Sequence, residues 1–130
     1  MIHIKLTSVM VDDQQRALDF YTEKLGFRKK TEIPVGEFRW LTVVAPGAED
    51  GVELALEPIG FAAARTFQQA LYEAGIPQTA FATDDLQQEY NRLKELGVEF
   101  KSAPSEPAGE WPATAVLDDT CGNWIQLFQA

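Results

Sequence analysis

The chain has 130 residues, of which 45% are apolar, and this length and composition suit one compact domain with its own core. Its net charge of −9 argues against nucleic acid as a partner, because phosphate binding needs a basic patch. No run of about 18 apolar residues occurs, so we expect no membrane span. The N-terminus resembles a strand rather than a signal peptide, which favours a cytoplasmic protein.

The first half of the chain predicts a strand, a helix and three further strands. Residues 2–11 alternate well enough for a strand. Asp12 or Asp13 can cap the following helix, whose apolar residues recur at helical spacing as far as Leu25, and Gly26 can end it. The three strands after this helix are predicted near 27–33, 38–45 and 51–57.

The second half repeats this order after a linker. Residues 58–77 form the linker, within which 62–74 predict a helix that ends at Gly75. The following elements are predicted as a strand at 78–83, a helix at 85–96, and strands near 98–102, 112–118 and 123–129.

The two halves also match residue by residue. Val11-Asp12-Asp13 aligns with Thr83-Asp84-Asp85, and Leu25-Gly26-Phe27 aligns with Leu96-Gly97-Val98 after one deleted residue. Two copies are too few for a solenoid, so we interpret them as two modules that pair into one body.

These patterns predict an α+β fold in a single domain, 1–130. Two βαβββ modules, 2–57 and 78–130, would form a curved mixed sheet around a concave pocket. Each module must cover one face of its sheet with its helix and leaves the other face free for a ligand.

Three sequence patterns resemble the vicinal oxygen chelate superfamily. They are V-x-V-D-D-x-x-x-A-L-x-F-Y-x-x-x-L-G-F at 9–27, D-D-x-x-x-x-Y-x-x-L-K-x-L-G-V-x-F at 84–100 and D-D-T-C-G-N-x-I-Q-L at 118–127. That superfamily includes glyoxalase I, the bleomycin-resistance proteins, the fosfomycin-resistance enzymes and the extradiol dioxygenases. The resemblance covers almost the whole chain, and it is specific for the fold but weak for the reaction.

In the metal-using members of that superfamily, four inward positions on the first and last strands of each module hold a divalent ion. The resemblance and the internal repeat place these positions at Leu6, Glu53, Gln78 and Gln126. Leu6 cannot ligate a metal, the glutamines offer neutral amide oxygens, and only Glu53 brings a charge. We therefore expect no cofactor. A weakly bound divalent metal, if present, would use Glu53, Gln78 and Gln126.

The same positions argue against the superfamily's metal chemistries. Glyoxalase-type isomerisation needs a carboxylate base, and the amide of Gln126 has no useful basicity. The dioxygenase branch needs an iron site of two histidines and one carboxylate, which the corresponding positions do not offer. Glu53 is then the one candidate catalytic acid or base.

Strand alternation predicts which side chains line the pocket. They are Leu6, Ser8, Met10, Glu53, Gln78, Trp124, Gln126 and Phe128. This mixture of apolar walls with a few polar groups suits a modest organic ligand.

Several candidate residues also have structural interpretations. Gln78 and Gln126 can hydrogen-bond to each other, and Glu53 can pair with Arg39 or face solvent. Tryptophans are more often core or interface residues than ligand platforms, and this applies to Trp40, Trp111 and Trp124.

Three functional hypotheses follow. The leading one is a small-molecule-binding protein of the bleomycin-resistance type with a degenerate metal site. The alternative is a metal-dependent lyase, isomerase or dioxygenase acting on a small carbonyl or aromatic compound, and a third is a structural module whose pocket is filled by its own side chains. We expect a homodimer, because short modules leave sheet edges that a second subunit can cover.

Overall fold

The computed structural model describes residues 1–130, and the chain divides into two units, Met1–Thr66 and Phe67–Ala130. The first unit contains a four-stranded sheet. Its elements are β1 (Leu6–Val11), α1 (Gln14–Asp19) with a π-helical continuation (Phe20–Lys24), β2 (Arg28–Val35), β3 (Phe38–Val44) and β4 (Glu53–Pro58). The strands lie in the order β1-β4-β3-β2, with β1 parallel to β4 and the other neighbours antiparallel.

Helix α2 (Ala62–Ala74) spans the boundary between the units and has the predicted limits. The second unit contains a three-stranded sheet. Its elements are β5 (Thr79–Thr83), α3 (Leu86–Glu95), β6 (Thr114–Asp118) and β7 (Trp124–Gln129). The strand order is β5-β7-β6, with β5 parallel and β6 antiparallel to β7. The α+β class is confirmed, and no helix has the length and apolar composition to cross a membrane.

The helix ends follow from local chemistry, and in the first helix they agree with the predicted cap at Asp12 or Asp13 and the predicted end at Gly26. Asp13 caps α1 and Asp85 caps α3, because each carboxylate accepts a hydrogen bond from the backbone N–H three residues later, at 2.9 and 3.0 Å. Gly26 and Gly97 then turn the chain at φ +87° and +86°, a region that other residues enter only with strain.

Strand alternation leaves another set of side chains opposite the candidate pocket residues, and most of these are buried in the core. The buried ones are Val9, Val11, Leu54, Leu56, Ile125 and Leu127. The same alternation assigns Val52 and Phe81 to this set, but Phe81 is half-buried and Val52 is exposed, since β4 begins one residue after it. Because side chains alternate along each strand, every sheet has one face in the core and an opposite face, which we call the second face.

The first strand is shorter than the predicted range of 2–11. It begins at Leu6, whose partner on the neighbouring strand is Glu53, the first residue of β4. The neighbouring strand β4 begins only at Glu53, whose N–H donates to the carbonyl oxygen of Lys5 at 2.9 Å, so residues 2–4 have no strand residue opposite them.

The strand predicted near 98–102 is wrong. Phe100 makes one isolated bridge to β6. The N–H groups of Lys101 and Ser105 then donate to carbonyl oxygens only two residues apart on β6. A separation of four residues, from Lys101 to Ser105, therefore spans the same length as a separation of two residues on β6. This bulge interrupts the ladder of hydrogen bonds that a continuous strand requires.

Candidate functional site

The second face of the first unit's sheet carries both polar side chains and exposed apolar side chains. Helix α1 packs on β3 and β4, and its buried Gln14 donates to the carbonyl oxygens of Arg39 and Leu56 at 2.7 and 2.8 Å. By strand register, the second face carries Leu6, Ser8, Met10, Ile33, Val35, Phe38, Trp40, Thr42, Glu53, Ala55 and Glu57.

A groove of about 370 Å³ lies along β3 and β4. This volume falls within the range of about 300–1,000 Å³ in which small-molecule sites occur. We call it the β3–β4 groove, and its lining residues are Val35, Phe38, Arg39, Trp40, Leu41, Ala55, Leu56, Glu57 and Pro58.

Two aromatic rings on β3 are exposed at this groove. Phe38 is 41% exposed and Trp40 is 38% exposed. Their partners on β2, Val35 and Ile33, are 59% and 53% exposed, so the four side chains form one apolar patch. Exposed aromatic rings beside a groove offer flat surfaces for stacking on a ligand.

The two charged side chains that line the groove differ in their partners: Arg39 has hydrogen bonds and an ion pair, whereas Glu57 has neither. The guanidinium of Arg39 donates to Gln15 at 3.0 Å and pairs with Glu32, which also accepts from Lys29 at 2.8 Å. Hydrogen bonds from Lys29 and then Arg39 lower the pKa of the Glu32 carboxyl. Glu57 lines the groove without a hydrogen bond or ion pair from the chain.

The four candidate site residues of the first unit share the second face. Leu6 lies level with Glu53, and Ser8 and Met10 follow on the same side of β1. The half-buried Glu53 accepts a hydrogen bond of 2.7 Å from the hydroxyl of Thr42. The alternative pairing of Glu53 with Arg39 does not occur, because the guanidinium binds Glu32 instead.

The candidate amides of the second unit do not lie level with each other. Gln126 pairs with Ala80, whereas Gln78 precedes β5 and donates its N–H to the carbonyl oxygen of Trp124 at 2.8 Å. In the first unit Leu6 and Glu53 are direct partners across the sheet. In the second unit Gln78 and Gln126, which the repeat aligns with them, are two residues out of register. That offset corresponds to about 7 Å along the strands.

Trp124 belongs to a packed cluster in the second unit. Its ring stacks on Tyr72 with centroids 5.0 Å apart, and the ammonium of Lys101 lies 5.5 Å from the ring centroid. The hydroxyl of Tyr72 donates to Asp118 at 2.6 Å, and this bond raises the pKa of Tyr72 to about 12. Phe128, on the same face of β7 as Trp124, is half-buried.

The four family positions do not fit a divalent metal of the kind used by the metal-dependent members. Leu6 has no donor atom, and Glu53 already accepts from Thr42. The two remaining donors, Gln78 and Gln126, are neutral amides on different levels of their sheet. No three side chains among His, Cys, Asp and Glu converge anywhere in the chain.

The sequence did not assign Phe38 and Glu57 to the candidate pocket, and it favoured a core or interface role for Trp40. A signal for Glu57 was present, because residues four apart on one strand share a face and Glu53 had been assigned. The two aromatic residues depend on the pairing of β3 with β4, which sequence alternation alone does not reveal.

Comparisons with known proteins agree with the fold and the sequence patterns. The family model of the Glyoxalase/Bleomycin resistance protein/Dioxygenase superfamily matches residues 3–127, so this chain belongs to that superfamily. YurT of Bacillus subtilis (strain 168) is 52% identical over 126 residues, covering 97% of this chain and 98% of YurT.

Two solved structures are similar over nearly their whole lengths. UcmS2 has a TM-score of 0.83 and 29% identity, covering 100% of this chain and 99% of its own. TnmS3, an antibiotic binding protein from Streptomyces sp. CB03234, has a TM-score of 0.72 and 30% identity, covering 99% and 96%. The predicted superfamily is therefore confirmed.

Proposed function

We propose that this protein binds a small organic molecule in the β3–β4 groove and holds it without changing it chemically. The observation that carries the proposal is the exposure of Phe38 and Trp40 beside a groove of ligand size. Keeping two large aromatic rings in water is unfavourable, and a bound aromatic compound would cover them.

The chemistry of the groove supports binding rather than catalysis. Its lining has no thiol, hydroxyl, amine or imidazole side chain, and its single arginine is engaged by Glu32. One carboxylate, that of Glu57, remains to orient a ligand. The similarity to the antibiotic-binding TnmS3 leads us to propose sequestration of a drug-like aromatic compound, with no resident catalytic metal.

Fluorescence titration with a panel of planar aromatic compounds, antibiotics included, tests this function. Trp40→Ala should weaken the compounds that bind by about tenfold, because stacking on an indole contributes on the order of 1 kcal/mol beyond area burial. Trp111→Ala is the matched control, since Trp111 is 68% exposed and does not line the groove. Equal losses in the two variants, or no binding by any compound, would contradict the proposal.

Glu53 supports a second candidate function. Its half-buried carboxylate is oriented by the hydroxyl of Thr42, as a catalytic acid or base would be. The protein would then be a lyase, isomerase or dioxygenase acting on a small carbonyl or aromatic compound. Metal analysis of protein purified without chelator separates the candidates. A stoichiometric transition metal that disappears in Glu53→Gln favours the enzyme.

We also propose that the protein is a homodimer. All residues of β2 except Thr31 are exposed, and β2 is an edge strand with unpaired backbone groups. Such edges invite a covering partner, although Pro34 removes one donor from the edge. A sedimentation measurement that gives the mass of one chain across the working concentration range would exclude the dimer.

A further inference from the structure

Two acidic side chains, those of Glu53 and Glu57, lie on the second face of the first unit's sheet, and only one of them has a hydrogen-bond donor. Glu53 accepts a hydrogen bond from Thr42, while Glu57, two positions beyond Ala55 on the same strand, receives none. Arg39 is the one cationic residue of the β3–β4 groove, and it is bound to Glu32 and Gln15. The groove therefore presents one uncompensated negative charge.

This charge stands beside aromatic rings. Phe38, Trp40 and Glu57 all line the β3–β4 groove, and the register of β3 and β4 puts them on the same face of the sheet. The face of an aromatic ring attracts a cation through its quadrupole, and indole is the strongest of the common rings. A carboxylate next to such rings adds a counter-charge, so the two features select the same kind of ligand.

Resting on the function proposed above, we infer that the β3–β4 groove selects organic cations. The ligand class is a flat aromatic molecule that carries a quaternary or protonated nitrogen. Its ring covers Trp40 and Phe38, and its nitrogen lies toward Glu57. An anionic aromatic compound would meet an uncompensated carboxylate and a chain with a net charge of −9, and both disfavour it.

Three related probes separate charge from shape. They are N-methylacridinium, acridine at a pH where it is neutral, and acridine-9-carboxylate, which share the same ring system. Titration of the wild-type protein should give the tightest binding for N-methylacridinium, by about tenfold over acridine, and the weakest for the carboxylate. The preference for the cation should decline as salt is added, because salt screens the charge of Glu57.

Two variants locate the selecting charge. Glu57→Gln keeps the shape of the side chain and should lower the cation-to-neutral affinity ratio from about ten to about three, the remainder coming from the aromatic faces of Trp40 and Phe38. Glu49→Gln removes the same charge from an exposed loop position and should leave the ratio unchanged. A thermal unfolding curve for each variant checks that both remain folded.

The outcomes distinguish the ligand class from the proposed function. Equal binding of acridine and N-methylacridinium to the wild type would overturn the cation selectivity while leaving a binding groove in place. Cation selection by the groove would also be overturned if Glu49→Gln lowered the cation-to-neutral affinity ratio as much as Glu57→Gln does. The preference would then reflect the overall charge of the protein. Failure of the whole aromatic panel, these probes included, would overturn the proposed function itself.

Discussion

The hydroxyl of Thr42 donates a hydrogen bond of 2.7 Å to Oε1 of Glu53. The bond joins β3 to β4 on the face that carries the groove, and it engages the only carboxylate among the four family positions. Thr42 is fully buried and Glu53 is half-buried, so the bond is sheltered from solvent on one side. The bond therefore fixes the position of the Glu53 carboxylate on this face.

Thr42→Val tests the contribution of that bond, because valine keeps the shape of threonine and removes the hydroxyl. We expect a loss of about 1 kcal/mol in the free energy of unfolding, measured by urea denaturation. Thr7→Val, at an exposed position of β1, controls for the strand preference of valine and should change stability by less than about 0.5 kcal/mol. Equal stability of the two variants would show that the bond contributes nothing.

Gln14→Leu should be more destabilising, because the Gln14 carboxamide makes three hydrogen bonds. Besides its two donated bonds, its Oε1 accepts from the N–H of Arg39 at 3.0 Å, which ties α1 to β3 and β4. Leucine would leave these backbone groups unsatisfied, and we expect a loss of about 2–4 kcal/mol. Gln15→Leu, on the exposed side of the same helix, is the control and should cost less than about 1 kcal/mol by denaturant titration.

Gly122→Ala tests the turn between β6 and β7. Gly122 has φ +97°, and a Cβ there would lie 2.8 Å from the carboxamide of the buried Gln68, which donates to Cys121 and Asn123. Gly97→Ala at φ +86° meets no atom within 4 Å and isolates the backbone strain.

We expect Gly97→Ala to cost about 1 kcal/mol, and Gly122→Ala to cost about 1–3 kcal/mol more because of the overlap with Gln68. Calorimetric melting of both variants measures the difference. Two equal losses would mean that Gln68 moves aside without cost.

Tyr72→Phe should change the pH dependence of stability. The hydrogen bond to Asp118 raises the pKa of Tyr72 from 10.0 to about 12, so the folded state retains the phenol proton more strongly than the unfolded state. The stability from this bond is fully present below pH 10 and is lost as pH rises toward about 12. The gap between wild type and Tyr72→Phe, about 1 kcal/mol at neutral pH, should therefore close across that interval.

Denaturant titrations at several alkaline pH values measure this gap. Tyr90→Phe is the control, because the ring of Tyr90 packs edge-on against Phe100 and its hydroxyl has no hydrogen bond in the structure. Its stability difference from the wild type should stay constant over the same interval. A gap for Tyr72→Phe that is also constant would contradict the role assigned to the hydrogen bond with Asp118.

The sequence predicted those features that depend on neighbours in the chain. Asp13 and Gly26 act as expected because capping and helix termination involve residues three or four positions apart. The core faces of β4 and β7 were predictable for a similar reason, since a period of two follows from strand geometry.

Features that depend on distant pairing were not predictable in this way. The groove depends on the pairing of β3 with β4 across the connection 45–52, and the sequence does not determine which residues of the two strands lie opposite each other. The offset between Gln78 and Gln126 and the bulge after Lys101 both arise from how the second sheet aligns its strands. Residue repeats carry no information on such shifts of register.

The β3–β4 groove is the place where we propose that the ligand binds. The indole N–H resonances of the three tryptophans report on it directly, because Trp40 lines the groove whereas Trp111 and Trp124 do not. In an amide-and-indole correlation spectrum titrated with a bound aromatic compound, we predict a saturable shift of the Trp40 indole and an unchanged Trp111 indole. A saturable shift of the Trp111 or Trp124 indole with the Trp40 indole unmoved would exclude the β3–β4 groove as the binding site.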